Sequence, residues 1–227
     1  MTGHPPESPL PIVVLISGGG TNLQAILDRA AAGTLPVEVR AVISNRADAR
    51  GLERARAAGV PTEVINHRDY PDRAAFDTEL ARRIDAHEPA LVVLAGFMRI
   101  LTDDFVTRYT GRMLNVHPSL LPRHKGLDTH RRALEAGDRE HGSSVHFVTP
   151  GVDDGPVVVQ ARVPVAADDS PEAVEERVRP WEYVILPQAV RLFAEGRLRL
   201  DGDTVLLDGA PLEAPLPPEA EPAGAAG

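Results

Sequence analysis

Two polar residues close an apolar run in "MLNVHPSLLPRHKG", residues 113–126, where Asn115 and His117 stand two apart just ahead of a proline-bounded loop. Alternate side chains of an extended strand share a face, so the amide and the imidazole point the same way. An amide donor beside an imidazole that carries a proton can stabilise the oxyanion formed when an amine attacks an acyl carbon. The turn "PGVDDGP", residues 150–156, offers Asp153 and Asp154, and a carboxylate paired with His117 is expected to raise its pKa and keep it cationic near neutrality. Residue types leave open which aspartate does so. These parts suit direct attack of a bound amine on a bound acyl donor, with no covalent enzyme intermediate.

Other chemistries fit less well. Five of the eight histidines fall between His117 and His146, yet no HExxH-type spacing is present, and no metal is expected. Ser119 lacks the glycine-framed elbow of a serine nucleophile. The chain has no cysteine, so disulfides, thiolate nucleophiles and Cys-ligated zinc are excluded.

A second cluster is "GGGTN", Gly18 to Asn22, between the apolar run "IVVLIS" and the helical pattern "LQAILDRAAAG". Strand, glycine loop and helix N-terminus is a geometry that receives anions on backbone N–H groups. A dinucleotide site needs a third glycine where Leu23 stands and an acid where Ser44, Asn45 and Arg46 stand, and no Gly-Lys-Ser/Thr follows for a triphosphate. A monophosphate held by Gly20, Thr21 and Asn22 remains. The cationic stretch Arg123, His124, Lys125, His130, Arg131 and Arg132 could also meet a phosphate or carboxylate, whereas the net charge of −9 argues against a nucleic-acid partner.

The elements that must position these groups alternate. "IVVLIS", "VEVRAVIS", "PTEVIN" and "ALVVLAGF" read as strands separated by helical patterns, which predicts an α/β fold: a Rossmann-like, mostly parallel sheet with helices on both faces. "MLNVH", "SSVHFVT" and "VVVQARVPV" are further strands. Ser170 and Pro171 open a long helix that Pro180 is expected to kink or split, and "RLRLDG" with "TVLLDG" reads as a small C-terminal hairpin. The organisation is a single domain over 11–209, with residues 1–10 and the Pro/Ala-rich tail 210–227 expected to be disordered, so that deleting the tail should change little. With no membrane-spanning apolar run and no signal-like N-terminus, a cytoplasmic protein with no membrane partner is expected.

The blocks "SGGGTNLQAI", "NRADARGLERARAAGVP", "VVLAGFMRIL", "LNVHPSLLPRHKGLDTHRRAL" and "SSVHFVTPGVDDGPVVVQARVPV" together resemble the phosphoribosylglycinamide formyltransferases, folate-dependent enzymes of purine synthesis, over about residues 12–207. The resemblance implies formyl transfer from 10-formyltetrahydrofolate, as co-substrate, to glycinamide ribonucleotide. It implies His117 as catalytic acid, Asn115 holding the formyl oxygen, and, by the Asp-x-Gly-Pro spacing, Asp153 as the partner of the imidazole. It further implies Gly20, Thr21 and Asn22 for the phosphate and Glu182 for the ribose. Met98, Arg99, Ile100 and Leu101 would grip the folate, with Arg73 and Asn115 assisting. Formyltransferases acting on tRNA, and the related hydrolase, carry additional domains that this sequence does not show. Monomer and homodimer both remain open, and Lys125 has no implied role.

Overall fold

Strand β1, Leu10–Ile16, divides the core. Its period of two sends Ile12, Val14 and Ile16 into one hydrophobic cluster and Val13 and Leu15 into another, all fully buried. The computed structural model describes residues 8–222. After β1 come α1 (Thr21–Ala31), β2 (Val37–Ser44), α2 (Gly51–Ala57), β3 (Thr62–Val64), α3 (Arg73–Asp85), β4 (Leu91–Leu94), α4 (Asp103–Arg108) and β5 (Met113–His117). Then follow α5 (Thr129–Glu135), β6 (Glu140–Phe147), β7 (Val157–Pro164) and α6 (Pro171–Ala194).

The main sheet has the order β3-β2-β1-β4-β5-β6-β7. Its first five strands in chain order are parallel, while β6 runs antiparallel to both β5 and β7. Leu23, Ile26 and Leu27 of α1 and Ile185, Ala189 and Val190 of α6 fill one face; Phe76, Leu80 and Ile84 of α3 fill the other. These i, i+3 and i+4 spacings are the apolar stripes that fix helices to a sheet. The expected Rossmann-like architecture is present. The chain winds outward from β1 to β3 and resumes on the other side with β4, so the strand order reverses between β1 and β4. A crevice at the carboxyl ends of the strands follows from that reversal.

Ser170 caps α6 as expected, its hydroxyl accepting from the Ala173 N–H at 3.2 Å. Pro180 does not split this helix, which runs unbroken from Pro171 to Ala194 with Pro187 also inside it. Each proline deletes one intrahelical bond. Burial of Val174, Val178, Val184, Ile185 and the residues beyond them holds the helix together regardless.

The C-terminal hairpin, β8 (Leu198–Asp201) and β9 (Thr204–Leu207), gains a third antiparallel strand, β10 (Ala210–Pro211). Beyond it, the expectation of a disordered tail from residue 210 is wrong as far as Pro222. The Leu216 N–H donates to the Val158 carbonyl at 2.8 Å, and the Gln160 N–H donates to Leu216 at 2.9 Å. The buried Gln188 amide grips the tail twice, donating to the Pro217 carbonyl and accepting from the Glu219 N–H, both at 3.0 Å. Composition missed this because the attraction is to an edge: β7 has unpaired backbone groups, and an extended segment satisfies them. Leu10, expected in a disordered N-terminal extension, begins β1. Residues 1–7 and 223–227, also expected to be disordered, lie outside the described residues.

Candidate active site

The carboxyl end of β5 carries Asn115 and His117, and the antiparallel register places His146 opposite Asn115. The β6–β7 turn brings in Asp153, held in the left-handed region at φ 50°. Its Oδ2 lies 3.3 Å from His117 Nδ1 and accepts the Gly126 N–H at 3.0 Å. Its Oδ1 accepts from Asn115 Nδ2 at 3.4 Å. His146 Nδ1 donates to the Phe147 carbonyl at 2.9 Å, which leaves Nε2 as a lone pair that accepts from Asn115 Nδ2 at 3.0 Å. These acceptors fix which end of the Asn115 amide is nitrogen. Asp154 faces outward and pairs with Lys125.

Both ring nitrogens of His117 face acceptors, since Nε2 is 3.1 Å from the His124 carbonyl. Burial nevertheless pushes the His117 pKa below its ordinary value, with Asp153 and the His124 carbonyl pulling it only partly back. The expectation that the carboxylate keeps the imidazole cationic is therefore corrected: the ring is almost fully buried, and removing a cation from water outweighs one nearby carboxylate. Burial pushes Asp153 upward, but His117 and the Gly126 N–H hold it below the usual carboxylate range. Asp153 is thus an anion at neutral pH.

The cationic stretch is consumed internally. Arg123 and His124 both bind Asp138, the latter at 2.7 Å, and Arg131 binds Asp128 at 2.6 Å. Arg132 donates to the Lys125 carbonyl at 2.6 Å, and the imidazole of His130 stacks edge-on against His141. Ser119 is fully buried and donates to the Arg123 carbonyl at 2.7 Å, which suits a loop brace rather than a nucleophile.

At the glycine loop, Gly20 caps α1 at φ 70° with no side-chain cap, and the first helical bond runs from Gln24 N–H to Gly20 at 2.9 Å. The N–H groups of Thr21, Asn22 and Leu23 precede that bond and point out of the helix start. An ideal Cβ on Gly18 or Gly19 would meet no atom within 4 Å. Asn22 is buried; its Nδ2 donates to Glu182 Oε2 at 2.7 Å, and its Oδ1 has no partner. Burial raises the Glu182 pKa, and the Asn22 amide draws it partly back. Two residues 160 apart in sequence, expected at phosphate and ribose, thus meet at one point.

The segment 98–101 lies beside this loop, because the Met98 N–H donates to Ser17 Oγ at 2.7 Å and Ser17 in turn donates to Asn45 at 2.6 Å. Met98 and Ile100 are 64% and 59% exposed, an apolar ledge open to solvent. The Arg99 guanidinium stacks on Phe76 at 5.7 Å. Arg73 is exposed at the start of α3, where it and Arg99 both act on the buried Asp77 carboxylate. Ser17, Gly126 and His146 were not expected at the site, and His124, expected as a cation for an anion, serves it through its carbonyl. Only His146 left a signal, as a polar residue inside the strand that pairs with β5. A cavity of about 670 Å³ between Trp181, Arg162 and the tail shares no residue with the Asn115 cluster.

An amide, an imidazole and a carboxylate at the carboxyl edge of this sheet can stabilise a tetrahedral acyl-transfer intermediate. The chain belongs to the formyl transferase family, whose model matches residues 10–190. It is 54% identical over 198 residues to the phosphoribosylglycinamide formyltransferase of Escherichia coli, covering 87% of this chain and 93% of that one. The solved phosphoribosylglycinamide formyltransferase of Coxiella burnetii superposes with a TM-score of 0.88 at 52% identity, covering 92% of this chain and 99% of that one. The human trifunctional purine biosynthetic protein adenosine-3 is 44% identical over 189 residues, which are 83% of this chain and 19% of that longer protein.

Proposed function

We propose that this protein transfers the formyl group of 10-formyltetrahydrofolate to the amine of glycinamide ribonucleotide. The observation that carries the reading is the Asn115, His117 and Asp153 cluster, with hydrogen-bonding groups on one side of a site whose glycine loop can take a phosphate. The N–H groups at the start of α1 hold the phosphate, Glu182 takes the ribose hydroxyls, and the ledge from Met98 to Leu101, with Arg73 nearby, holds the folate. Bound side by side, the two reactants no longer have to find each other, which removes much of the entropic barrier.

The neutral amine attacks the formyl carbon, and the carbonyl oxygen becomes an oxyanion. Asn115 turns one N–H to it, giving up the longer 3.4 Å contact to Asp153 and keeping the 3.0 Å bond to His146. His117 exchanges the His124 carbonyl for the same oxygen. Negative charge arriving beside the ring favours the imidazolium, so a histidine that rests neutral becomes a proton carrier when the intermediate forms. Asp153 orients the ring through Nδ1 and stabilises that cation. The intermediate then collapses, expelling the folate nitrogen as it takes up the proton lost by the amine. The test is to mix the protein with both substrates and follow tetrahydrofolate release. Release that depends on both is expected, and none from folded protein would overturn the reading.

A further inference from the structure

The glycine loop leans on α2. The Gly51 N–H donates to the Gly18 carbonyl at 3.0 Å, and Arg54 Nε donates to the next carbonyl, that of Gly19, at 2.8 Å. A trans peptide points its carbonyl and the following N–H in opposite directions. Tying these two carbonyls towards α2 therefore turns the N–H groups of Gly19 and Gly20 away from it. An ideal Cβ on Gly18 or Gly19 meets no atom within 4 Å, so the loop has room beside it for a ligand. The contact is tight enough to set this orientation, since a Cβ on Gly20 would stand 2.4 Å from the Gly51 Cα.

Two further observations point to a ligand at this loop. The start of α1 has no side-chain cap, and the buried Asn22 Oδ1 has no partner. Arg54 places its donors on the Gly19 carbonyl and, at 3.2 Å, on Gln24 Oε1 rather than on a carboxylate, so its charge remains available to a nearby anion. We infer that Arg54, acting with the Gly51 N–H, is a positioning residue that orients the Gly19 and Gly20 N–H groups towards a bound phosphate monoester. The inference rests on the proposed function for the identity of the substrate, and on the geometry alone for the anion.

Inorganic phosphate is the first probe, because it separates the two claims. Its dissociation constant, measured by titration calorimetry on the full chain, should rise roughly 10- to 100-fold in Arg54→Gln, the range for losing one charge-assisted hydrogen bond. Arg54→Lys keeps the charge and one donor and should recover part of the loss. In the formyl-transfer assay the same variants should raise KM for glycinamide ribonucleotide, leaving kcat and the folate KM near their parent values. A merely structural role would instead lower melting temperature and kcat and leave phosphate affinity alone. Unchanged phosphate affinity in both variants overturns the inference, whereas weakened phosphate binding in a protein that transfers no formyl group overturns only the proposed function. Should Arg54→Gln not fold, Arg54→Lys alone decides, since weaker phosphate binding supports the assignment and equal binding refutes it.

Discussion

Asp153 and Asp154 are neighbours with the same chemistry and opposite surroundings, one turned onto His117 and Asn115, the other onto Lys125 at the surface. Asp153→Asn keeps the shape but removes the charge that draws the His117 pKa upward, so an already depressed imidazole should titrate lower still by NMR. Its kcat should fall strongly, while Asp154→Asn, losing one exposed ion pair, should behave like the parent. An unaltered His117 titration in Asp153→Asn would show that the two side chains are not coupled. His117→Ala should lower kcat by roughly 10²–10⁴, the usual range for a positioned acid or base. Asn22→Asp sets a second carboxylate against Glu182, 2.7 Å away, and in an anion site, so KM for the ribonucleotide should rise far more than KM for the folate. Equal rises would place the phosphate elsewhere. The residues proposed to touch the reaction were legible as types, an amide and an imidazole sharing one face at a strand end, whereas their roles came only with the resemblance. The charge state of His117 was not legible, because it depends on how deeply the ring is buried, and burial is decided by residues far away in sequence.

Among the elements, the helices and parallel strands could be read directly from periodicity, as in Phe76, Leu80 and Ile84 on α3 or the unbroken apolar run of β1. The loop between β5 and α5 could not, because side chains from outside it help to set its shape, Asp138 foremost. Asp138, just before β6, holds both Arg123 and His124, and that hold places the His124 carbonyl on His117 Nε2 and the Gly126 N–H on Asp153. A string of cations therefore read as an anion site when it is a brace. Asp138→Ala should cost about 1–3 kcal/mol, since it leaves a half-buried imidazole without its acceptor. It should also lower kcat at temperatures where the fold is intact, because His117 and Asp153 lose their shared frame. Denaturant melts and steady-state rates on one preparation check this; full kcat with reduced stability would confine the brace to folding.

For the molecule as a whole, acid sensitivity and the C-terminal strap follow from burial. Burial pushes His141 down to about 4 and lowers His117 and His130 as well. The unfolded chain then binds more protons than the native one, so the stability these groups contribute is complete above pH of about 6.5 and is lost as pH falls towards 4. Chemical denaturation at steps between pH 7 and 4.5 should show this loss above the range in which carboxylates titrate. His141→Leu, at a site whose ring nitrogens have no partner, should flatten it; an identical slope would assign the protons elsewhere. The strap is where composition misled most, because a Pro/Ala/Glu-rich segment with few apolar residues reads as unable to fold. It needs no core of its own, since it borrows the edge of β7 through Leu216, the amide of Gln188 and the guanidinium of Arg191. Removing residues 212–227 should therefore destabilise the protein by about 1–4 kcal/mol, the sum expected for a few hydrogen bonds and partly buried leucines. It should also raise its tendency to associate, as an uncovered edge strand pairs with others. None of these contacts includes Asn115, His117 or Asp153, so turnover at low temperature should persist. An unchanged denaturation midpoint with unchanged light scattering would mean that the strap lies against β7 without stabilising it.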